Sequence, residues 1–256
     1  MGLFRGSRFL DRDTEDWHFQ TWAWLLRNLG GIDRFRRTPL VTPSREYFPP
    51  TDAQGHERAV HVFECVKRAL GMTAWSCELV ARDRPPAMAE VGEFWTLETP
   101  GSAAGTFGVR DGAVTITYAS DLLSQPAALV ATLAHELAHY LLATVKEEPP
   151  GGLELHELAT DLTVAFAGFG VFGANSAFAF EQFGQAGRQG WRSQRRGYLS
   201  ERTWSLALAT FLVLSEQPGA ADQWLKPGVR DMVSEASRYL AKHRNLLEPL
   251  IIAAVP

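Results

Sequence analysis

The run Ala134-His135-Glu136-Leu137-Ala138-His139-Tyr140, followed after a polar break by Leu155-His156-Glu157-Leu158-Ala159-Thr160-Asp161, decides how this chain folds. From Ser124 to about Val145 the chain is apolar almost all round, the pattern of a helix buried at the centre of a domain. Ser124 reads as its N-cap, with Pro126 in the first turn. Residues 146–152, KEEPPGG, form a short polar break, and a second buried helix follows from about Leu153 to Phe169. Two buried helices joined by a short bend make an antiparallel hairpin.

Helix geometry then sets which residues meet. At about 1.5 Å rise per residue, His139 lies ~9 Å before the bend and Glu157 ~8 Å after it. His135 lies ~15 Å before it and Asp161 ~14 Å after it, so each pair stands at equal height. Residues four apart share a helix face, so His135 and His139 can grip one ion, and Glu157 and Asp161 can face it together. Two imidazoles and one carboxylate suit zinc, which leaves Glu136 beside them to reach a zinc-bound water. Asp161 is placed behind the His135 ring, where a carboxylate orients a metal-binding imidazole. Two acids on a buried helix are otherwise costly, and shared metal duty explains both. Chance alone yields the five-residue His-Glu-x-x-His pattern in about one in a hundred chains of this composition. His156 competes with Glu157 as third ligand. The two face about 100° apart on a helix, so only one of them can point at the ion, and the alignment with Asp161 favours Glu157.

The pattern His135-Glu136-x-x-His139 followed by Glu157-x-x-x-Asp161 resembles the gluzincin branch of zinc metallopeptidases. The resemblance covers about residues 105–170 and is one of motif. It implies a zincin-like α+β core, with a β-sheet before the first motif helix and an edge strand that binds substrate in extended form. Ala113–Tyr118 is the strand that stands in that place. It further implies His135, His139 and Glu157 as zinc ligands, Glu136 as general base, Asp161 as the supporting carboxylate, and a peptide or protein substrate. The gap between His139 and Glu157 is at the short end for such proteins. Residues 1–75 and 200–256 match no pattern of that family.

The flanking sequence is read from periodicity. Residues 12–29 predict a helix capped by Asp13 or Thr14, with Trp17, Trp22, Leu25, Leu26 and Leu29 at helical spacing and Gly30-Gly31 as its stop. Residues 31–54 read as a loop or wrapping arm, and 56–70 as a second helix ended by Gly71. Glu78–Arg82, Glu93–Glu98, Thr106–Arg110 and Ala113–Tyr118 are short and β-rich, with turns at Pro85-Pro86, Pro100-Gly101 and Asp111-Gly112, and so predict a small, mostly antiparallel sheet. Residues 170–196 read as irregular, with a further helix at about Ser200–Ser215 and a last helical pair at about Ala220–His243. The expected organisation is an N-terminal helical region, 1–75, packed on a metallopeptidase domain with C-terminal helices, 76–256, in one compact unit.

Composition bounds the remaining classes. With 256 residues, 46% of them hydrophobic and 21% charged, the chain can bury a large core. A net charge of −4 gives no reason to expect nucleic acid as a partner. Arginines at 34, 36 and 37 and at 188, 192, 195 and 196 read as solvated loops. Two cysteines, Cys65 and Cys77, are no disulfide framework. No secretion signal and no membrane span is evident, and a cytoplasmic location is expected. Tyr198, Tyr118 and Tyr140 are candidates for an oxyanion-stabilising donor, with Tyr198, just before a helix start, favoured. Competing readings are a zinc-binding regulatory or interaction protein with a peptidase-like fold and no turnover, and a docking surface on the aromatic N-terminal helix (Trp17, Trp22, Trp24).

Overall fold

Residues 8–82, 105–110, 112–183 and 198–252 are described in the computed structural model of the chain. Helix α1 (Arg12–Asn28) buries Trp17, Trp22, Leu25 and Leu26. Its cap is Asp11, not Asp13 or Thr14: the Asp11 carboxylate accepts the Thr14 amide at 3.1 Å and the Thr14 hydroxyl at 2.6 Å. Gly30 and Gly31, at φ 102 and 76, turn the chain into a short helix α2 (Gly31–Phe35), within the region expected to be loop. An irregular arm leads to α3 (Gly55–Ala69).

Strands β1 (Glu78–Arg82), β2 (Gly105–Arg110) and β3 (Ala113–Ala119) form one sheet in the order β1-β3-β2. β2 and β3 are the antiparallel hairpin that the Asp-Gly turn predicts, with Val109 opposite Val114 and Gly112 at φ 77. β1 runs parallel to β3, with Leu79 opposite Ile116, so the sheet is mixed rather than mostly antiparallel. Alternating side chains reveal a strand but not the direction of its partner across a long connection. The order also corrects the edge: among the described strands β3 is central, and β2, at one end, lies on the helix of the His-Glu-x-x-His motif. The expected strand Glu93–Glu98 and the turns at Pro85-Pro86 and Pro100-Gly101 lie outside the described residues, as does the arginine cluster at 188–196.

Ser124 does not cap the motif helix. Its hydroxyl closes a 3-10 turn by donating to Asp121 O at 2.8 Å, and Gln125 precedes α4 (Pro126–Leu142), which ends three residues short of the expected Val145. A 3-10 turn at Gly152–Leu155 opens α5 (His156–Val164). That helix continues through a π-helical turn, Ala165–Phe169, into α6 (Gly170–Phe183), which replaces the irregular structure expected over 170–183. At the junction Gly168 sits at φ 91. Its carbonyl accepts the Val41 amide at 2.9 Å, and a Cβ there would strike the Pro39 carbonyl oxygen. The arm therefore crosses the helix where the helical ladder is broken. The run Gly152–Ala177 is long and apolar enough to cross a membrane, and 89% of its most apolar window is buried inside the protein, so it packs as a core helix.

Helices α7 (Glu201–Leu214), capped by Ser200, α8 (Pro227–Lys242) and α9 (Glu248–Ile252) complete an α+β fold that is mostly helical with a small mixed sheet. One hydrophobic cluster runs from Phe9 to Leu250 and takes in Trp22 of α1, Leu137 of α4, Leu162 of α5 and Phe211 of α7. α1 also grips the hairpin bend: Trp17 Nε1 donates to Pro150 O at 2.8 Å, while Arg27 and Asn28 reach Glu147 at 3.3 and 2.9 Å. Cys65 and Cys77 are free thiols.

Candidate metal centre

The hairpin of α4 and α5 meets at the heights that helical rise dictates. His135 and His139 are one turn apart on α4 and almost wholly buried, at 8% and 7% exposure. Glu157 is the second residue of α5, where the positive end of the helix dipole favours an anion. His135 Nε2 stands 3.1 Å from His139 Nε2 and 3.2 Å from Glu157 Oε2, and His139 Nε2 stands 3.3 Å from the same oxygen. Four-coordinate zinc with bonds of about 2.0–2.1 Å sets its ligand atoms roughly 3.3 Å apart. The triangle is thus the size of one face of such a site. Glu157 Oε1 is buried without a hydrogen-bond partner, an orphan acceptor that a cation or its water would satisfy. Among the described residues this is the one group of three or more His, Cys, Asp or Glu side chains whose ligand atoms lie within 4.8 Å of one another. The donors fit a divalent metal ion.

The supporting contacts are equally specific. Asp161 Oδ1 lies 2.9 Å from His135 Nδ1, and its Oδ2 accepts the Leu199 amide at 3.0 Å. Thr160 Oγ1 lies 3.3 Å from His139 Nδ1. Burial alone would lower the pKa of His135, but the hydrogen bonds to Asp161 and Glu157 hold it well above the usual imidazole value. Burial pushes His139 down. For Glu157 the penalty of burial is outweighed by hydrogen bonds from both imidazoles, and its carboxyl falls well below the usual range. Two carboxylates thus draw positive charge to the point where the imidazoles converge. Glu136, buried beside them, is pushed up to about 7, chiefly by burial, with His135 acting against the shift and Glu157 adding to it.

The other sequence candidates separate by position. His156 does not join the triangle. Its ring stacks on His139, 5.4 Å between centroids and 9° from parallel, and its Nδ1 is buried without a partner. Tyr198 is 41% exposed, with its ring 6.1 Å from that of His135. Tyr118 is buried and its hydroxyl meets His56 Nδ1 at 3.1 Å, while Tyr140 donates to Ser76 O at 3.3 Å. Of the three tyrosines, Tyr198 is the one whose ring stands beside that of His135.

Sequence reasoning missed three contributors. Thr160 partners His139. The Leu199 amide anchors Asp161. Gly105 of β2 lies so close to α4 that a Cβ there would sit 2.9 Å from Glu136 Oε1 and 2.7 Å from Thr132 Cγ2. A small residue opening a strand before the His-Glu-x-x-His helix was the only sign of that approach, and nothing in periodicity tells it from an ordinary strand glycine. Phe107, two residues along β2, stacks over both His139 and Tyr140 at 6.4 and 5.7 Å.

No protein-family model, no curated protein and no solved structure matches this chain. The likeness to gluzincins therefore remains one of motif, and the side-chain geometry stands behind it alone: a buried His135–His139–Glu157 group able to hold a metal ion.

Proposed function

We propose that the chain is a zinc-dependent peptide-bond hydrolase of gluzincin type, acting on a peptide or protein. The observation that carries the reading is the convergence of three things at one point: the ligand triangle, the buried Glu136 carboxylate beside it, and the β2 edge passing directly over that carboxylate at Gly105. Among the described residues β2 pairs only with β3, and in this reading an extended substrate chain adds along its other side, gaining main-chain hydrogen bonds as a further strand. Zinc, when bound, supplies a Lewis acid that polarises a carbonyl and makes water acidic enough to lose a proton near neutral pH.

The residues of the chain divide the remaining work. His135, His139 and Glu157 hold the ion. Glu136 takes a proton from the attacking water and delivers it to the leaving amine, a role for which a carboxylate buried beside the ligand triangle is placed. Tyr198, half-exposed beside His135, donates a hydrogen bond to the oxyanion that develops on the scissile carbonyl. Phe107 and His156, whose rings lie nearly parallel to that of His139, keep it from turning.

The test compares wild type with Glu136→Gln on a peptide library, with zinc measured in both. The reading expects one zinc per chain in each protein, cleavage by wild type, and a loss of at least about 10²-fold in kcat/KM in the variant. Fully zinc-loaded wild type that cleaves nothing would mark a metal-binding protein without turnover. Equal cleavage by the variant would remove Glu136 from the chemistry.

A further inference from the structure

Each histidine of the triangle must present a bare Nε2, so each must carry its proton on Nδ1 when neutral, and something must hold it there. For His135 the holder is Asp161, a carboxylate that can only accept. Among the described residues no carboxylate stands behind His139. Its Nδ1 faces Thr160 Oγ1 at 3.3 Å, and a hydroxyl can donate as well as accept. If Thr160 donated to Nδ1, the ring proton would sit on Nε2, pointing into the triangle, and His139 could not bind an ion.

The surroundings of Thr160 decide between the two. The side chain is completely buried, at 0% exposure. Its single hydroxyl proton has two acceptors within reach: His139 Nδ1 at 3.3 Å and the His156 carbonyl, one turn back on α5, at 2.9 Å. The carbonyl is the nearer, it is always an acceptor, and the back-bond to the residue four before is an ordinary threonine geometry in helices. With the proton committed there, the oxygen turns its lone pairs to His139 and can only accept from Nδ1–H. We infer that Thr160 is the positioning residue for His139: the His156 carbonyl orients the Thr160 hydroxyl, and the hydroxyl fixes the His139 tautomer that leaves Nε2 bare. The second buried helix thus sets both imidazoles, Asp161 through a charge and Thr160 through a relayed hydrogen bond. The proposal rests on reading the triangle as a metal site, but it also makes a statement about the metal-free protein.

Two measurements separate the proposal from that reading. The first is the ¹⁵N spectrum of His139 in metal-free protein at about pH 8, above the ordinary imidazole range. In metal-free protein Glu157 Oε2, 3.3 Å from His139 Nε2, draws the ring proton the other way, so the comparison is between variants: Thr160→Val shifts His139 toward the Nε2–H form relative to wild type, and Thr160→Ser does not. Equal tautomer populations in wild type and Thr160→Val overturn the inference. The second is zinc affinity by chelator competition. Thr160→Val binds about 10- to 100-fold more weakly, the usual cost of removing such a partner, and Thr160→Ser stays close to wild type. Wild-type affinity together with a wild-type tautomer in Thr160→Val overturns the proposal. Wild type that takes up no zinc defeats the metal reading instead, and the tautomer then tests Thr160 alone. Should Thr160→Val fail to fold, Thr160→Ala removes the same hydroxyl and makes the same two comparisons.

Discussion

His18 shows how far the fold will go to keep a single polar side chain uncharged. It lies in the middle of α1 at 0% exposure, with Nε2 3.4 Å from the Thr210 hydroxyl and Nδ1 unpartnered. Burial pushes its pKa from the ordinary 6.5 down to about 3. The folded ring is therefore neutral where the unfolded ring takes a proton. Between those two values the unfolded chain binds more protons, so stability rises with pH across the window. It falls as pH drops through 6.5, and the loss is complete near 3. Wild type should then lose ~2–3 kcal/mol more than His18→Gln on going from about pH 7 to pH 4.5. Urea unfolding of the two metal-free proteins at both pH values checks this, since other titrating groups cancel in the comparison. Parallel losses would mean that His18 already reaches water in the folded state.

The elements divide into those written locally and those set by distant partners. The α4–α5 hairpin was legible because helical rise and a seven-residue bend leave little freedom: His135 opposite Asp161 and His139 opposite Glu157 follow from counting. The sheet was legible strand by strand but not in its order, because the parallel pairing of Glu78–Arg82 with β3 depends on a crossover that no alternation encodes. α6 was hidden by composition: Gly170, Gly173, Phe169 and Phe172 suggest irregularity, yet glycine is there because neighbours press in. A Cβ at Gly173 would strike the Trp204 ring, and one at Gly170 would come within 3.0 Å of Leu208. Thr160 was illegible for a different reason, since its role depends on which way a ring on another helix has turned. The π-helical turn at Ala165–Phe169 follows the same logic, as Gly168 adopts φ 91 to let the arm's Pro39–Val41 pass. Gly168→Ala meets both a left-handed φ and the Pro39 carbonyl, so it should destabilise by about 2 kcal/mol or more. Thermal melting checks this, and a variant melting with wild type would show that the arm is not fixed there.

At the level of the whole molecule, the N-terminal segment is bound to the C-terminal helices through one buried carboxylate. Glu15, 1% exposed, accepts the Phe9 amide at 3.0 Å, the Leu10 amide at 3.3 Å, Arg8 at 3.2 Å and the Tyr239 hydroxyl of α8 at 3.0 Å. Arg202, in the first turn of α7, donates to Phe9 O at 2.9 Å and lies over the Phe9 ring at 4.1 Å. Three residues before Arg202, the Leu199 amide holds Asp161, and Asp161 holds His135. The His135–His139–Glu157 group is therefore braced, through Asp161 and Leu199, by a chain of contacts that runs from the first described residues to α8. A core shared from Phe9 to Leu250 makes α1 a structural member of the same unit rather than a free docking surface. Glu15→Ala strips the acceptor from the buried Phe9 amide, the part-buried Leu10 amide and the Tyr239 hydroxyl, at about 1–3 kcal/mol for each buried donor, so it should lower stability by about 3 kcal/mol or more. In a shared core that loss moves the entire urea transition to lower concentration at unchanged slope, with tryptophan fluorescence and far-ultraviolet circular dichroism still coincident. An early fluorescence change while the helical signal stays intact would mean instead that α1 melts alone, and that the brace ends before it reaches Asp161.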